Sequence, residues 1–214
     1  MSEIIGKISA ALQEGEEDGL NELVKKALAD GVSAKDILEN GLLAGMDIIA
    51  EKFKNNEVYV PEVIMSAGAM NTATETLKPH LAGAGATTVG KALLGTVKGD
   101  LHDIGKNLVR MMFEGKGIEV IDLGVDVSPE KFIEAYRAEN PEIVAMSALL
   151  TTTMGEMKST VEAFAKEGIR DKVTIMVGGA PVTDSFRETI GADLFAPDAA
   201  SAAEGAKNAI LARK

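Results

Sequence analysis

The sequence contains no cysteine and only two histidines, His80 and His102, among its 214 residues. Without cysteine the chain can form neither a disulfide nor a thiolate metal site, and this favours a cytoplasmic protein. A zinc site needs three or four protein ligands, and two distant histidines do not supply them. The sequence therefore does not favour a zinc site.

Long apolar runs and positive charge are also scarce. No apolar run approaches the roughly 20 residues that span a bilayer, and the acidic start MSEIIGKISAALQEGEEDG lacks the basic region of a secretory signal. The formal net charge of −11 argues against nucleic acid, because phosphate contacts require a basic surface. We therefore expect a globular, cytoplasmic protein with neither a nucleic-acid nor a membrane partner.

The first third of the chain has the periodicity of amphipathic helices, with apolar residues recurring at intervals of three and four. Ser33, followed three residues later by Asp36, is typical of a helix N-terminus, and Pro61 suits a first helical position. The expected helices cover residues 4–13, 19–30, 33–54 and 61–79. They predict a four-helix bundle over residues 1–81, followed by a small-residue linker over 82–90.

From residue 91 onward, short apolar runs alternate with helical segments. The expected strands cover residues 91–97, 118–123, 142–148, 172–179 and 192–196. The expected helices begin near Asp103, Pro129, Met154, Pro181 and Ala199. Five strand–helix units predict a doubly wound, flavodoxin-like parallel sheet with right-handed crossovers over residues 91–214.

Unusual residues follow the predicted strands. Ligands of open α/β sheets bind outside the carboxyl ends of the strands, so a site is expected at this edge. The segments concerned are Gly99 to His102, Gly124 to Asp126, Ser147 to Thr151, Gly178 to Ala180 and Ala196 to Ala199.

Three familiar chemistries do not fit these segments. A Walker phosphate loop has four residues between its glycines, whereas five separate Gly99 from Gly105, and Asn107 stands where Ser or Thr is required. A phosphoacceptor receiver needs an aspartate and a lysine where this chain has Ser147 and Ala196. The run MSALL also lacks the flanking glycines of a hydrolase nucleophile elbow.

A single histidine can still bind one axial position of a metal that a macrocycle already holds. Asp100, two residues before His102, can accept the other ring N–H and increase the basicity of the ligand. Gly105 would let the next helix start close to a bulky group. The alternative is that His102 only decorates the start of a helix.

Three segments match a known pattern at every position. GDLHDIG (99–105), SALLTTT (147–153) and GGA (178–180) are similar to the Asp-x-His-x-x-Gly, Ser-x-Leu and Gly-Gly elements of cobalamin-binding methyltransferase modules. Residues Gly41 to His80, which contain FKNNEVYVPEVIMSAGAM, resemble the helical cap that precedes the Rossmann-like module in that family, which includes methionine synthase. The resemblance covers nearly the whole chain.

The resemblance implies a role for each matching residue. His102 would be the lower cobalt ligand in place of dimethylbenzimidazole, with Asp100 bonded to it and Ser147 extending a proton relay. Thr151, Gly178, Gly179 and Ala199 would line the slot for the nucleotide tail. Phe53 and Val60 would cover the upper face of the cofactor. The complete implied set is Gly99, Asp100, Leu101, His102, Asp103, Gly105, Ser147, Leu149, Thr151, Gly178, Gly179, Ala199, Phe53 and Val60.

The resemblance also implies a function in anaerobic one-carbon metabolism. The protein would accept a methyl group on cob(I)alamin from a substrate-specific methyltransferase. It would present methylcob(III)alamin to a second methyltransferase that uses tetrahydrofolate or coenzyme M, and a reductive activator protein would be a further partner. Such a carrier is not catalytic alone, and methanol, methylamines, quaternary amines and aryl methyl ethers are its possible methyl donors.

Two other functions use the same module. A cobalamin-binding sensor usually carries a DNA-binding or light-signalling domain, for which this chain shows no pattern. The small subunit of an adenosylcobalamin mutase shares the Asp-x-His-x-x-Gly pattern but usually lacks a helical cap. The sequence therefore favours the methyl carrier.

Overall fold

The computed structural model describes residues 3–81 and 88–213. Its contacts divide the chain into two compact units, with the boundary between residues 87 and 88. Of the predicted linker, residues 82–87 lie outside the described residues. The two units are therefore described separately.

The N-terminal unit is a helical bundle, and the sequence-based prediction of four helices is confirmed. The third helix is continuous from α3 through a π-helical turn into α4, because the three segments follow one another without a break. The fully buried side chains of the bundle include Ile8, Leu20 and Leu42. The elements are α1 (Glu3–Glu14), α2 (Glu17–Ala29), α3 (Ala34–Asp36), the π-helical turn (Ile37–Leu43), α4 (Ala44–Lys54) and α5 (Val60–Leu81).

The third helix begins as predicted but contains an unpredicted π-helical turn. The Ser33 hydroxyl accepts a hydrogen bond from the backbone N–H of Asp36 at 3.1 Å. The π-helical turn includes Gly41, where an added Cβ would lie only 2.9 Å from Ile8 Cγ2 of α1. The close approach of two helices decides this local geometry, and the spacing of apolar residues does not reveal it.

Helix α5 continues to Leu81, although we expected it to stop near Pro79. Proline lacks the backbone N–H, so close to a helix end it removes a single hydrogen bond and the last turn can persist. At 22 residues α5 is the longest helix of the described chain. Even so, no helix within residues 3–81 and 88–213 is long and apolar enough to cross a membrane.

The C-terminal unit is the predicted doubly wound sheet. Its five parallel strands have the order β2-β1-β3-β4-β5, which is the flavodoxin-like order. The strands are β1 (Gly90–Thr96), β2 (Ile118–Asp122), β3 (Ile143–Ser147), β4 (Thr174–Gly178) and β5 (Leu194–Ala196). The helices are α6 (Ile104–Gly115), α7 (Pro129–Glu139), α8 (Met154–Lys166), α9 (Asp184–Ile190) and α10 (Ala199–Ala212), and a short 3₁₀ turn spans Arg170–Lys172.

Helices cover both faces of the sheet, so its central strands are buried throughout. Leu93, Val144 and Ile175 have no exposed surface, as expected for a parallel sheet. The helix expected from Pro181 begins instead at Asp184. Thr183 adopts an extended conformation and accepts a hydrogen bond from the N–H of Phe186 at 3.2 Å, so this threonine caps the helix.

Gly179 lies where the ends of β3 and β4 meet, and the fold requires a glycine there. Its φ is +130°, and an added Cβ would lie 1.9 Å from the carbonyl oxygen of Ala148. The N–H of Ala148 in turn donates to the carbonyl of Gly178 at 3.2 Å. The two chain segments can approach this closely only because position 179 has no side chain.

We expect Gly179→Ala to lower the free energy of unfolding by about 3 kcal/mol or more, because a Gly-only backbone conformation and a backbone collision act together. The control is Gly191→Ala, where φ is +72° and an added Cβ meets nothing within 4 Å. Backbone strain alone should cost about 1 kcal/mol at that position. Urea unfolding of the cofactor-free protein measures both, and equal costs would contradict the close approach at Gly179.

Candidate functional site

The loop between β1 and α6 emerges at the carboxyl edge of the sheet. Strand β1 lies between β2 and β3, so the chain continues from β1 to the strand on one side of it and then crosses to the strand on the other side. This is the topological switch point, where ligands of doubly wound sheets bind. We call residues 97–103 the histidine loop, because they carry His102.

Asp100 and His102 form a paired acid and base within this loop. Asp100 is fully buried, whereas the His102 side chain is 51% exposed. His102 Nδ1 lies 2.7 Å from Asp100 Oδ1, and the same oxygen accepts the backbone N–H of His102 at 3.1 Å. A carboxylate partner favours the tautomer with the proton on Nδ1, so the lone pair of Nε2 stays available for a metal.

The second carboxylate oxygen of Asp100 is bound by the loop after β3. Oδ2 accepts hydrogen bonds from the N–H groups of Leu149 at 2.8 Å and Leu150 at 3.2 Å, and from the Thr153 hydroxyl at 2.7 Å. Burial by itself would raise the pKa of Asp100, but the hydrogen bonds from His102, Thr153 and Leu149 lower it far below its ordinary value. Asp100 is therefore a fixed anion at neutral pH.

The relay from Asp100 to Ser147 stays a prediction, and no direct contact between the two side chains supports it in the part of the chain that the structure describes. Within the described residues no hydrogen bond joins the Ser147 hydroxyl to Asp100, and Thr153 supplies the hydroxyl contact instead. Ser147 is the last residue of β3, beside Thr96 and Gly178 in the strand register. The contacts of Asp100 with His102 and with the loop after β3 suit orientation of the histidine.

Sequence reasoning missed Thr153, although a signal was present. SALLTTT places Thr153 immediately before α8, and its hydroxyl also lies 2.9 Å from the carbonyl oxygen of Leu150. A loop that turns back from a strand into a helix returns its last residue to the sheet edge. The position before α8 therefore lies at the same sheet edge as the end of β3.

Large apolar side chains are exposed around the histidine loop. Leu101 and Ile104 are 71% and 78% exposed, and Leu149 and Leu150 are also exposed. We call these four residues the apolar rim. Exposed apolar residues clustered at one edge mark a binding surface. The rim therefore suits a large, flat and largely apolar ligand.

The remaining residues predicted in the loop lie close to His102 in the chain. Gly99 has a φ of +79°, as a tight turn requires. Asp103 immediately precedes α6, and its Oδ2 accepts from the side-chain amide of Asn107 at 3.2 Å. An added Cβ at Gly105 would meet nothing within 4 Å. The surface at Gly105 is therefore open to a ligand.

Small residues lie at the carboxyl ends of β4 and β5. Gly178 ends β4, where an added Cβ would lie 3.3 Å from the carbonyl oxygen of Ala196, and Ala199 begins α10. Asp198 caps α10 by accepting the N–H of Ser201 at 2.8 Å. Thr151 is exposed in the loop after β3. These positions stay the predicted slot for a nucleotide tail, whereas Gly179 has the separate structural requirement described above.

Phe53 and Val60 belong to the N-terminal unit. Phe53 lies in the last turn of α4 and Val60 is the first residue of α5, and both are half-buried. Tyr59 and Met65, in the same part of the bundle, are exposed. A contact between Phe53 or Val60 and the cofactor stays a prediction.

The Thr153 hydroxyl should stabilise the buried carboxylate measurably. We expect Thr153→Val to lower the free energy of unfolding by about 1.5–3 kcal/mol, because it removes a hydrogen bond to a charged group. Ser147→Ala is the matched control and should change it by less than about 0.5 kcal/mol. Urea unfolding of the cofactor-free protein measures both changes in the free energy of unfolding. A larger loss for Ser147→Ala would contradict Thr153 as the hydroxyl partner of Asp100.

Both units match known protein families. Residues 90–209 match a family model described as a B12 binding domain, and residues 4–78 match a second model with the same description. Trimethylamine corrinoid protein 1 of Methanosarcina acetivorans is 40% identical over 199 residues, which are 92% of each chain.

Solved structures agree with these matches. The methanol:cobalamin methyltransferase complex of Methanosarcina barkeri contains a chain with a TM-score of 0.89 and 32% identity, covering 98% of this chain and 80% of that one. A cobalamin-binding protein from Desulfitobacterium hafniense gives a TM-score of 0.80 and 33% identity, covering 96% and 98%.

Cobalamin is therefore the cofactor, and the residues of the C-terminal unit fit it. His102 offers one ring nitrogen that the buried Asp100 holds in orientation, as would suit a metal that a macrocycle already holds. The apolar rim offers the surface that a flat macrocycle needs. On the family matches and this geometry together, the chain belongs to the cobalamin-binding corrinoid proteins of methyltransferase systems.

Proposed function

We propose that this protein is a methyl carrier between two methyltransferases. It accepts a methyl group on cob(I)alamin from a substrate-specific methyltransferase and presents it, as methylcob(III)alamin, to a second enzyme that uses tetrahydrofolate or coenzyme M. The observation that carries the proposal is the pairing of exposed His102 with buried, anionic Asp100 at the switch point of the sheet.

Bound cobalamin supplies a cobalt centre that takes up and releases a methyl group. The chain would supply one ligand, the orientation of that ligand and a surface for the macrocycle. His102 Nε2 is the proposed ligand, because Asp100 occupies Nδ1. Thr96, buried at the end of β1, donates its hydroxyl to the carbonyl of His102 at 2.8 Å and so fixes the backbone that carries the ligand.

The buried carboxylate supports a carrier in a further way. A ligand that must serve the same cofactor through repeated transfers has to return to one position and one tautomer. Asp100 enforces both, since its five donors come from His102 and from the loop after β3. The ring of His102 itself is free to approach the cofactor from the exposed side.

In this proposal the partner enzyme selects the methyl donor, and the names of the relatives suggest which donors to test first. Several are named trimethylamine or dimethylamine corrinoid proteins of Methanosarcina, and the solved complex is a methanol:cobalamin methyltransferase. We propose methylamines and methanol as the first donors to test. A reductive activator protein is a further proposed partner.

His102 should coordinate cobalt in the reconstituted protein. Electron paramagnetic resonance of the Co(II) form, prepared from ¹⁵N-labelled protein and unlabelled cobalamin, should show coupling to a protein ¹⁵N nucleus. His102→Ala should abolish the coupling and weaken cobalamin binding about tenfold or more. The matched control is His80→Ala, which removes the only other histidine. Coupling that persists in His102→Ala would contradict the assignment.

Methyl transfer should require both partners. After reconstitution and chemical reduction, the protein should become methylated in the presence of one methyl donor and its matching methyltransferase. It should then methylate tetrahydrofolate or coenzyme M when the second methyltransferase is added. Methyl iodide serves as a positive control for the reduced cofactor. Methylation by methyl iodide, but by no donor with its enzyme, would contradict the carrier function.

A further inference from the structure

We infer that Asp126 is a positioning residue that holds the histidine loop from the neighbouring strand. Asp126 lies in the loop between β2 and α7, on the side of β1 opposite the loop that carries Thr153. The inference rests on the proposed function, in which His102 binds cobalt. It adds a residue whose hydrogen bonds go to Gly99 and Asp100 of the histidine loop.

Asp126 makes two hydrogen bonds to consecutive residues of the histidine loop. Its Oδ1 accepts the backbone N–H of Gly99 at 2.7 Å, and its own N–H donates to the carbonyl of Asp100 at 3.1 Å. The next residue extends the contact, because the N–H of Val127 donates to the carbonyl of Thr96 at 2.9 Å. We call these three hydrogen bonds the clamp. They hold the turn immediately before the buried carboxylate of Asp100.

The backbone of Asp126 is held in an uncommon conformation. Its φ is +54°, in the left-handed region that side chains rarely adopt and that Asn and Asp tolerate best. Within the described residues, the other non-glycine positions with positive φ are Asn56 and Asn140, which follow the ends of α4 and α7. Asp126 ends no helix, so a helix C-cap does not account for its conformation. The two hydrogen bonds to the histidine loop do.

The loop that carries Asp126 is itself firmly attached. Lys106, in the first turn of α6, has a side chain only 2% exposed, and its Nζ donates to Asp122 Oδ2 at 2.5 Å. Asp122 Oδ1 accepts the N–H of Gly124 at 2.9 Å. An ion pair between the buried Lys106 and the more exposed Asp122 thus ties the start of this loop to the helix that follows the histidine loop. Asp126 consequently acts from a rigid support.

The clamp matters because Gly99 is the point where the histidine loop can bend. Glycine at a φ of +79° imposes little conformational restriction, and an added Cβ there would approach only Thr153 Cγ2, at 3.7 Å. Contacts to Asp100 from the loop after β3 act on one side of this turn. Asp126 acts on the other side, and together they leave the turn a single arrangement.

Three variants separate the contribution of the carboxylate from that of the backbone. Asp126→Gly keeps access to positive φ and removes the acceptor, whereas Asp126→Asn keeps an acceptor oxygen and tolerates the same φ. Asn140→Gly is the matched control, since it changes a left-handed residue, φ +47°, that ends α7 at the opposite edge of the sheet.

Two measurements on the full-length chain test the inference. In the cofactor-free protein, the Gly99 amide should exchange with solvent about tenfold faster in Asp126→Gly, and nearly unchanged in Asp126→Asn and Asn140→Gly. After reconstitution with cobalamin, Asp126→Gly should bind about tenfold more weakly and show a smaller fraction of Co(II) coupled to a protein nitrogen, as for other residues that orient a metal ligand.

The outcomes distinguish this inference from the proposed function. Unchanged Gly99 exchange and unchanged nitrogen coupling in Asp126→Gly would overturn the inference while leaving His102 as the ligand. Absence of protein-nitrogen coupling in the unaltered protein would overturn the His102 assignment, and Gly99 exchange would still report whether the clamp exists. If Asp126→Gly failed to fold while Asn140→Gly folded, Asp126 would support the domain as a whole, and the inference as stated would be wrong.

Discussion

The functional edge of this protein depends on one buried negative charge. A carboxylate removed from water is costly unless hydrogen-bond donors surround it, and Asp100 has no exposed surface. Its donors are the ring and backbone of His102, two consecutive backbone N–H groups after β3 and the Thr153 hydroxyl. The conformations of two separate loops are therefore set by the need to neutralise a single side chain.

In this arrangement the charge that stabilises the two loops and the ring that would bind the metal are separate groups. The charge that determines the loop conformation is buried, whereas the ring that would contact cobalt is half exposed. A buried anion can orient an exposed imidazole without competing for the cofactor, because it occupies Nδ1 and leaves Nε2. The parallel sheet fixes the position of this loop, since β1 ends at the switch point between β2 and β3.

The architecture was predictable from the sequence, whereas several local contacts were not. Alternating strand and helix patterns gave the five parallel strands, and Ser33 marked a true helix start. The helix expected at Pro181 begins later because Thr183, in an extended conformation, makes the capping hydrogen bond. Thr153 was missed for a related reason: the return of a loop to the sheet edge is a tertiary feature, and no local periodicity records it.

The sequence alone also does not show why glycine is required at a given position. At Gly179 an added Cβ would collide with the carbonyl oxygen of Ala148, so the packing of β3 against β4 already requires glycine. At Gly105 an added Cβ would meet nothing within 4 Å, so the chain itself imposes no such requirement. Both glycines belong to the motif by which the family is recognised. The first is explained by the fold alone, and only the second leaves room that a ligand approaching His102 could use.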